Sequence, residues 1–186
     1  MMKIYRLSEL GEFKNGLNFE KRTIVNPCKI IGVGDFANNV YPNYKTVGYV
    51  ERTLVADDFL LQENDIIFVR SNGNKSLVGR TMLIKDVHEE VTYSGFCIRF
   101  RLRRTDIYPQ YLFYALRSPF CRKQYSYSQQ TNITNLSQDI LGDVIVRIPD
   151  MNEQIRIAKI LVNIDDKIMC NMKINDNLPY QSSMVA

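Results

Sequence analysis

Three stretches of the chain are dense enough in charged or hydrogen-bonding side chains to do chemistry, and in each the chemistry is recognition. The first is Arg70-Ser71-Asn72-Gly73-Asn74-Lys75-Ser76, with Arg80 just beyond. Arginine offers a fork for guanine or phosphate, and asparagine a donor and acceptor for adenine. The stretch reads either as an ordinary solvated loop or as one placed in a DNA groove. The second is Gly95 to Arg103, where Phe96, Ile98, Phe100 and Leu102 alternate with Cys97, Arg99, Arg101 and Arg103. This period of two predicts a strand with one core face and one guanidinium face. The basic face is either a solvated edge protected by charge or a stripe that tracks phosphates, with Arg99 and Arg101 as its contacts. The third is the polar run Ser128-Gln129-Gln130-Thr131-Asn132.

Catalytic sets are missing. Gly32-Val-Gly34-Asp-Phe-Ala37 fits a dinucleotide fingerprint, but that fingerprint needs a helix directly after the glycines. Asn39-Val40-Tyr41-Pro42-Asn43 follows instead, which is turn chemistry. Asn177-Leu178-Pro179-Tyr180 imitates the Asn-Pro-Pro-Tyr box of adenine methyltransferases without its central Pro-Pro or a preceding glycine motif, and we read it as chance. Cys28, Cys97, Cys121 and Cys170 have no paired spacing, and His88 is the only histidine, so a metal site is not expected. The thiols are expected to be reduced and cytosolic.

The positioning elements come next. Cys28 to Val33 reads as a buried strand. Asp65 to Val69 is a strand that returns over Thr81 to Ile84, a hairpin whose long tip is the first polar stretch. Pro109 to Arg117 and Pro119 to about Tyr127 read as helices with proline at the first turn, the second capped by Ser118. Tyr108, Tyr111, Tyr114, Tyr125 and Tyr127 crowd this region and read as core or core-edge rings rather than base-stacking surfaces. Ile4 to Phe13 is a short amphipathic piece, and Asp143 to Ile148 a closing strand.

The chain has 186 residues, 45% apolar and 24% charged, with a net charge of +4. This suits one domain with an appendage. The segment after residue 150 is balanced in charge, so the positive excess lies in residues 1–150. That modest bias is compatible with a nucleic-acid partner. No signal peptide or run of spanning length is present in the sequence, so a cytoplasmic protein with no membrane partner is expected.

The appendage is a helix opening at Pro149-Asp150, with Asp150 as cap and Glu153 reaching back to it. Ile157, Leu161, Ile164 and Ile168 are spaced four, three, four, and the register continues through Asn171, Asn175 and Leu178. Such a stripe suits a helical partner, with polar seam residues fixing register. The alternative is a helix folded onto its own domain. Its reach of about 27 residues, or about 40 Å, favours the partner.

Several linked signals carry a family resemblance. They are Asn132-Ile133, Leu136, Ile148-Pro149, Glu153-Gln154, Arg156-Ile157, Ile160-Leu161, Asp165, Lys167-Ile168 and Asn171, in that order. The sequence resembles the specificity subunits of type I restriction-modification enzymes, strongly over the last third. Leu61 to Asn74 resembles that family's Gly-Asp-Ile-Leu-Phe strand and loop, with Glu63-Asn64 at the usual glycine. The resemblance implies an α+β target-recognition domain over 1–148, with a twisted, mainly antiparallel sheet and flanking helices. A spacer and dimerisation helix over 149–178 and a tail over 179–186 would follow. It implies a non-catalytic subunit that binds double-stranded DNA. The expected readers are Arg70, Ser71, Asn72, Asn74, Lys75, Arg80, Arg99, Arg101 and Gln129 to Asn132 (Gln129, Gln130, Thr131, Asn132). The expected helix interface is Ile157, Leu161, Ile164, Ile168, Asn171 and Leu178. Implied partners are adenine-N6 methyltransferase subunits and a restriction/translocase subunit. Their S-adenosylmethionine, ATP and Mg would belong to them, with no cofactor bound by this chain. The family's usual subunit has two recognition domains and two spacer helices, so this chain reads as half of one, completed by homodimerisation over a bipartite site. A scaffold, a silent half-subunit cassette and a stand-alone DNA-modifying enzyme are the alternatives.

Overall fold

The computed structural model describes residues 2–19, 23–37, 39–126 and 135–182. Among these residues nine strands run β1 (Lys3–Arg6), β2 (Gly11–Asn15), β3 (Pro27–Ile31), β4 (Gly48–Glu51), β5 (Ile66–Val69), β6 (Thr81–Leu83), β7 (Val91–Tyr93), β8 (Cys97–Leu102) and β9 (Ile145–Ile148). The α-helices of the same residues are α1 (Pro109–Arg117), α2 (Pro119–Ser126), α3 (Gln138–Gly142) and α4 (Met151–Ser182). The fold is α+β.

The centre is an antiparallel sheet in the order β2-β8-β5-β6. Strand β5 is Ile-Ile-Phe-Val with all four residues buried, so it has no polar face to give to water. Side chains alternate across a pleat. Ile66 and Phe68, opposite Phe100 and Ile98, therefore join the cluster with Leu112, Phe113, Leu116 and Tyr125 of α1 and α2. Ile67 and Val69 pack instead with Met82, Cys97, Ile31, Phe36, Val91 and Tyr93. That second layer includes the sheet β4-β3-β7, in which β3 pairs antiparallel with β4 and parallel with β7. Each fully buried side chain of this size contributes about 1.5–3 kcal/mol, and both layers are needed to cover β5.

The β5–β6 hairpin, the two proline-led helices and the closing strand stand where the sequence places them. The Gly32–Ala37 stretch enters a single 3-10 turn, Val33–Phe36, rather than a long helix. Asp35 Oδ2 there accepts from the Gly32 N–H at 2.8 Å. Ile4 to Phe13, read as one amphipathic piece, is instead β1, a 3-10 turn and β2. The five-residue α3, with the Ser137 hydroxyl accepting from the Ile140 N–H, was not anticipated.

Strand β1 pairs antiparallel with β9, Lys3 opposite Ile148. Helix α4 leaves directly from β9. Its cap is as expected in part: Asp150 Oδ1 accepts from the Glu153 N–H at 3.1 Å. The Glu153 carboxylate does not reach back to the cap. It takes a fork of two bonds from Arg156, at 2.6 and 2.7 Å, which lowers its pKa below the usual carboxylate range. Gln154, 1% exposed, fixes the exit angle. Its Oε1 accepts from the Tyr108 N–H at 2.8 Å, and its Nε2 donates to the carbonyls of Pro149 (3.0 Å) and Asp106 (3.3 Å).

Candidate nucleic-acid interface

The first polar stretch sits at the tip of the β5–β6 hairpin and is built by its own side chains. Asn72 Oδ1 accepts from the Asn74 N–H at 2.7 Å, and Asn74 Oδ1 from the Ser76 N–H at 3.0 Å. Two successive asparagine turns of this kind shape a loop without help from a core. A 3-10 turn, Lys75–Leu77, then returns the chain to β6. Ser71 and Asn72 are half-buried, and Gly73, Asn74 and Ser76 are exposed.

The base of this loop is held by two other segments. The Phe96 carbonyl accepts from the N–H groups of Arg70 (2.8 Å) and Ser71 (3.4 Å). The Arg70 carbonyl accepts from the Leu136 N–H at 2.8 Å, and Ser71 forms an antiparallel bridge with Asn135. Residues Gln129, Gln130, Thr131 and Asn132 lie outside the described residues. The chain nonetheless re-enters at Asn135, directly beside the loop. Two stretches far apart in sequence thus share one edge of the molecule at that point.

Phe96 was read as core and is 62% exposed. It lies in the tight turn from β7 to β8, before the strand's alternation begins, so the period of two did not apply to it. Among the described residues it is the one large exposed aromatic hydrogen-bonded through its backbone to the loop, and sequence reasoning missed it. The signal was Ser94-Gly95, a turn pair directly before it.

Arg99 and Arg101 are a correction. They do alternate with Ile98 and Phe100, but the face they occupy is covered by the second layer and by residues 58–65. Arg99 is 3% exposed. It donates to the Asp58 carbonyl at 2.9 Å and to Glu12 at 3.4 Å. Arg101 binds Asp65 through Nε–Oδ1 at 2.8 Å and Nη2–Oδ2 at 2.7 Å, and donates to the Leu60 carbonyl at 3.0 Å. Asp65 is itself 1% exposed and also accepts from the Gln62 N–H at 2.8 Å. Arg101 neutralises the internal Asp65 carboxylate, Arg99 reaches out to the exposed Glu12, and both bond loop carbonyls, so they do not form a solvent stripe. Arg103 alone stands out in water, paired with Glu12 at 2.6 Å. That bond holds the Glu12 carboxyl below its usual range.

Arg80 turns away from the hairpin tip and donates to the Ala37 carbonyl. It lines a cavity of about 540 Å³ with Arg117 and Arg122, between the body and Ile168 and Met172 of α4. Arg117 closes α1 and Arg122 lies mid-way along α2, and helical periodicity marks only the core side of each, so neither stands out in the sequence. Among the described residues, no group of three or more His, Cys, Asp or Glu is arranged to hold a metal, and no helix is long and apolar enough to cross a membrane.

The stripe on α4 is divided along its length, its start covered by the body and its continuation exposed. Ala158 is fully buried and Ile157 packs against the main core. Leu161 and Asp165 are half-buried on the same side, and the Tyr114 hydroxyl of α1 donates to Asp165. Ile157 and Leu161 therefore face the body, which corrects their assignment to a free seam. Ile160, Ile164 and Ile168 are 50%, 48% and 51% exposed, and Asn171 is exposed. The Leu178 side chain lies outside the described residues, although the helix itself continues past it to Ser182.

Comparison with known proteins places this arrangement. A family model described as the type I restriction modification DNA specificity domain matches residues 1–180. The type I restriction enzyme StySPI specificity subunit of Salmonella potsdam is 27% identical over 154 residues, covering 77% of this chain and 32% of that protein. The HsdS subunit from Thermoanaerobacter tengcongensis superposes with a TM-score of 0.61 at 17% identity, over 91% of this chain and 38% of that one. The type I restriction-modification S subunit from M. genitalium gives 0.62 at 20% identity, over 92% and 41%. The chain spans about a third of the curated relative's length and about two fifths of the solved chains. At these identities the structures share the fold.

Proposed function

The chain belongs to the type I restriction-modification DNA specificity family, and from that premise we propose that it reads one short half-site of double-stranded DNA through the Arg70–Ser76 loop. The observation that carries this reading is the meeting of that loop with Asn135 and the exposed Phe96 on one edge. The loop supplies exposed amides and a hydroxyl for base edges. Phe96 supplies a ring that can stack on or wedge beside a base. Gln129, Gln130, Thr131 and Asn132, which precede Asn135 in the chain, are proposed as further readers. Arg99 and Arg101 hold the scaffold beneath it.

The chain would act without catalysis of its own, bringing adenine-N6 methyltransferase subunits and a restriction/translocase subunit to the site it reads. S-adenosylmethionine, ATP and Mg belong to those partners in this reading. Two copies would pair through the exposed side of α4, at Ile160, Ile164 and Ile168. The helix is 32 residues long, about 48 Å at 1.5 Å per residue. An antiparallel pair would set the two readers more than one duplex turn of about 34–36 Å apart, which favours two inverted half-sites with a gap.

Selection from a pool of randomised duplexes, by the chain alone and with methyltransferase subunits, tests this. A two-part word with inverted halves is the expected product. A pool that gains no sequence bias under either condition would sink the reading.

A further inference from the structure

We propose that the cleft lined by Arg80, Arg117 and Arg122 is a seat for a DNA backbone phosphate, set at the foot of the reading loop. The inference rests on the DNA-recognition reading above and assigns a positioning role to residues outside the loop.

Three guanidinium groups from three different elements open into one cavity of about 540 Å³. Arg80 comes from the residue before β6, Arg117 from the end of α1 and Arg122 from α2. Among the described residues none of the three has a carboxylate within ion-pair distance, whereas Arg6, Arg52, Arg99, Arg101, Arg103, Arg104 and Arg156 all do. Among the described residues, no acidic one lines the cleft. A cluster of like charges left without internal partners is costly unless an anion joins it.

The cluster is also held in place. Arg80 donates to the Ala37 carbonyl and Arg122 to the Gly79 carbonyl. Arg122 lies 5.3 Å from the centroid of the Tyr125 ring, and Arg117 5.0 Å from that of Phe113. Each guanidinium is thereby oriented by a carbonyl or an aromatic face, with further N–H groups left to bind. Planar forks of this kind match the oxygens of a phosphate. Gly79 makes the approach possible. It has φ +76°, and a Cβ there would stand 2.8 Å from the Tyr125 ring and 3.0 Å from Arg122 Nη1.

Position selects DNA as the source of the phosphate. The Gly79 N–H donates to the Val69 carbonyl at 2.8 Å, and the Arg80 N–H to the Leu77 carbonyl at 3.0 Å. The cleft is thus the lower end of the Arg70–Ser76 loop. A strand whose bases meet the loop would carry its backbone past this point. Phosphate contacts fix register while base contacts specify.

The test is salt-dependent binding of the complete chain to its selected duplex and to an unrelated one, by fluorescence anisotropy, with methyltransferase subunits where the chain requires them. Arg117 is exposed and its side chain makes no hydrogen bond among the described residues, so Arg117→Gln keeps the fold. It is expected to weaken both duplexes by the same factor, about fivefold to tenfold, and to lower the salt slope by about one unit. Arg117→Lys is expected to recover most of the slope, and Arg122→Gln to follow Arg117→Gln. Unchanged affinity and slope in both Gln variants, while the wild type still discriminates between duplexes, would overturn the cleft and leave the reading loop standing. Loss of methyltransferase binding with intact DNA binding would overturn it as well, because the anion would then come from a protein. A wild type that discriminates no duplex would remove the DNA reading itself.

Discussion

The Tyr114 hydroxyl donates to Asp165 Oδ2 across 2.8 Å, joining the middle of α1 to the second quarter of α4. Burial raises the Tyr114 pKa and the bond to Asp165 raises it further, so the phenol keeps its proton at neutral pH and stays a donor. With Gln154 at the helix start, this bond makes a second hydrogen-bonded attachment beyond the packing of Ile157 and Ala158. Two points fix a direction where one would leave a pivot.

Tyr114→Phe removes this bond, together with the contact of the same hydroxyl with Tyr41. It is expected to cost about 1–2 kcal/mol, the range for a hydrogen bond to a charged acceptor that is partly solvated. Amide exchange along 161–172 should accelerate more than exchange in β5, as measured by mass spectrometry. Equal effects in both segments would mean that α4 has no separate hinge freedom.

Arg101→Ala separates a structural arginine from a DNA-binding one. Truncation leaves the buried Asp65 carboxylate without its fork, which should cost about 3–5 kcal/mol. Urea denaturation should show the loss in the absence of any nucleic acid. A variant that unfolds like the wild type yet binds DNA poorly would return Arg101 to the surface role first read for it.

These two arginines mark where the sequence ceased to be legible. Alternation over Gly95–Arg103 identified the strand and, from Cys97 onward, its two faces, with Ile98 and Phe100 on the helix side and Phe96 misassigned. A period of two states which residues share a face, not what covers it. The second layer over Arg99 and Arg101 is made by β3, β7 and the 58–65 segment, contacts between residues far apart in the chain. The same limit applies to α4: spacing marked Ile157, Leu161, Ile164 and Ile168 as one stripe, and only the packing of α1 divided it. Where the determinants were local, as with Pro109, Ser118-Pro119 and Asp150, the elements began where the sequence said they would. The hairpin tip was legible because asparagine turns need no distant partner.

Within that tip, substitutions should differ in kind. Lys75→Ala is expected to lower affinity for all duplexes alike and reduce the salt slope by about one unit. Asn72→Ala is expected to cost about 1–3 kcal/mol on the preferred word and little elsewhere. Titrations of cognate and scrambled duplexes at several salt concentrations distinguish them. If both variants bind the cognate duplex as the wild type does, the loop is not the reader.

Ile164→Asp addresses pairing through α4. Ile164 is 48% exposed, so the change should leave the melting temperature of the isolated body nearly unaltered. A dimer by sedimentation at tens of micromolar in the wild type, reduced to monomer in the variant, is the expected outcome. A wild-type monomer at the same concentration would count against self-pairing.

The antiparallel pairing of β1 with β9 has a consequence for inheritance. Because Lys3 lies opposite Ile148, the polypeptide enters the reading body and departs into α4 at neighbouring points. A unit whose doorway and exit adjoin can be exchanged for another with the same threshold, leaving the rest of an assembly undisturbed. Such an exchange alters the surface that the body presents and keeps the point from which α4 departs.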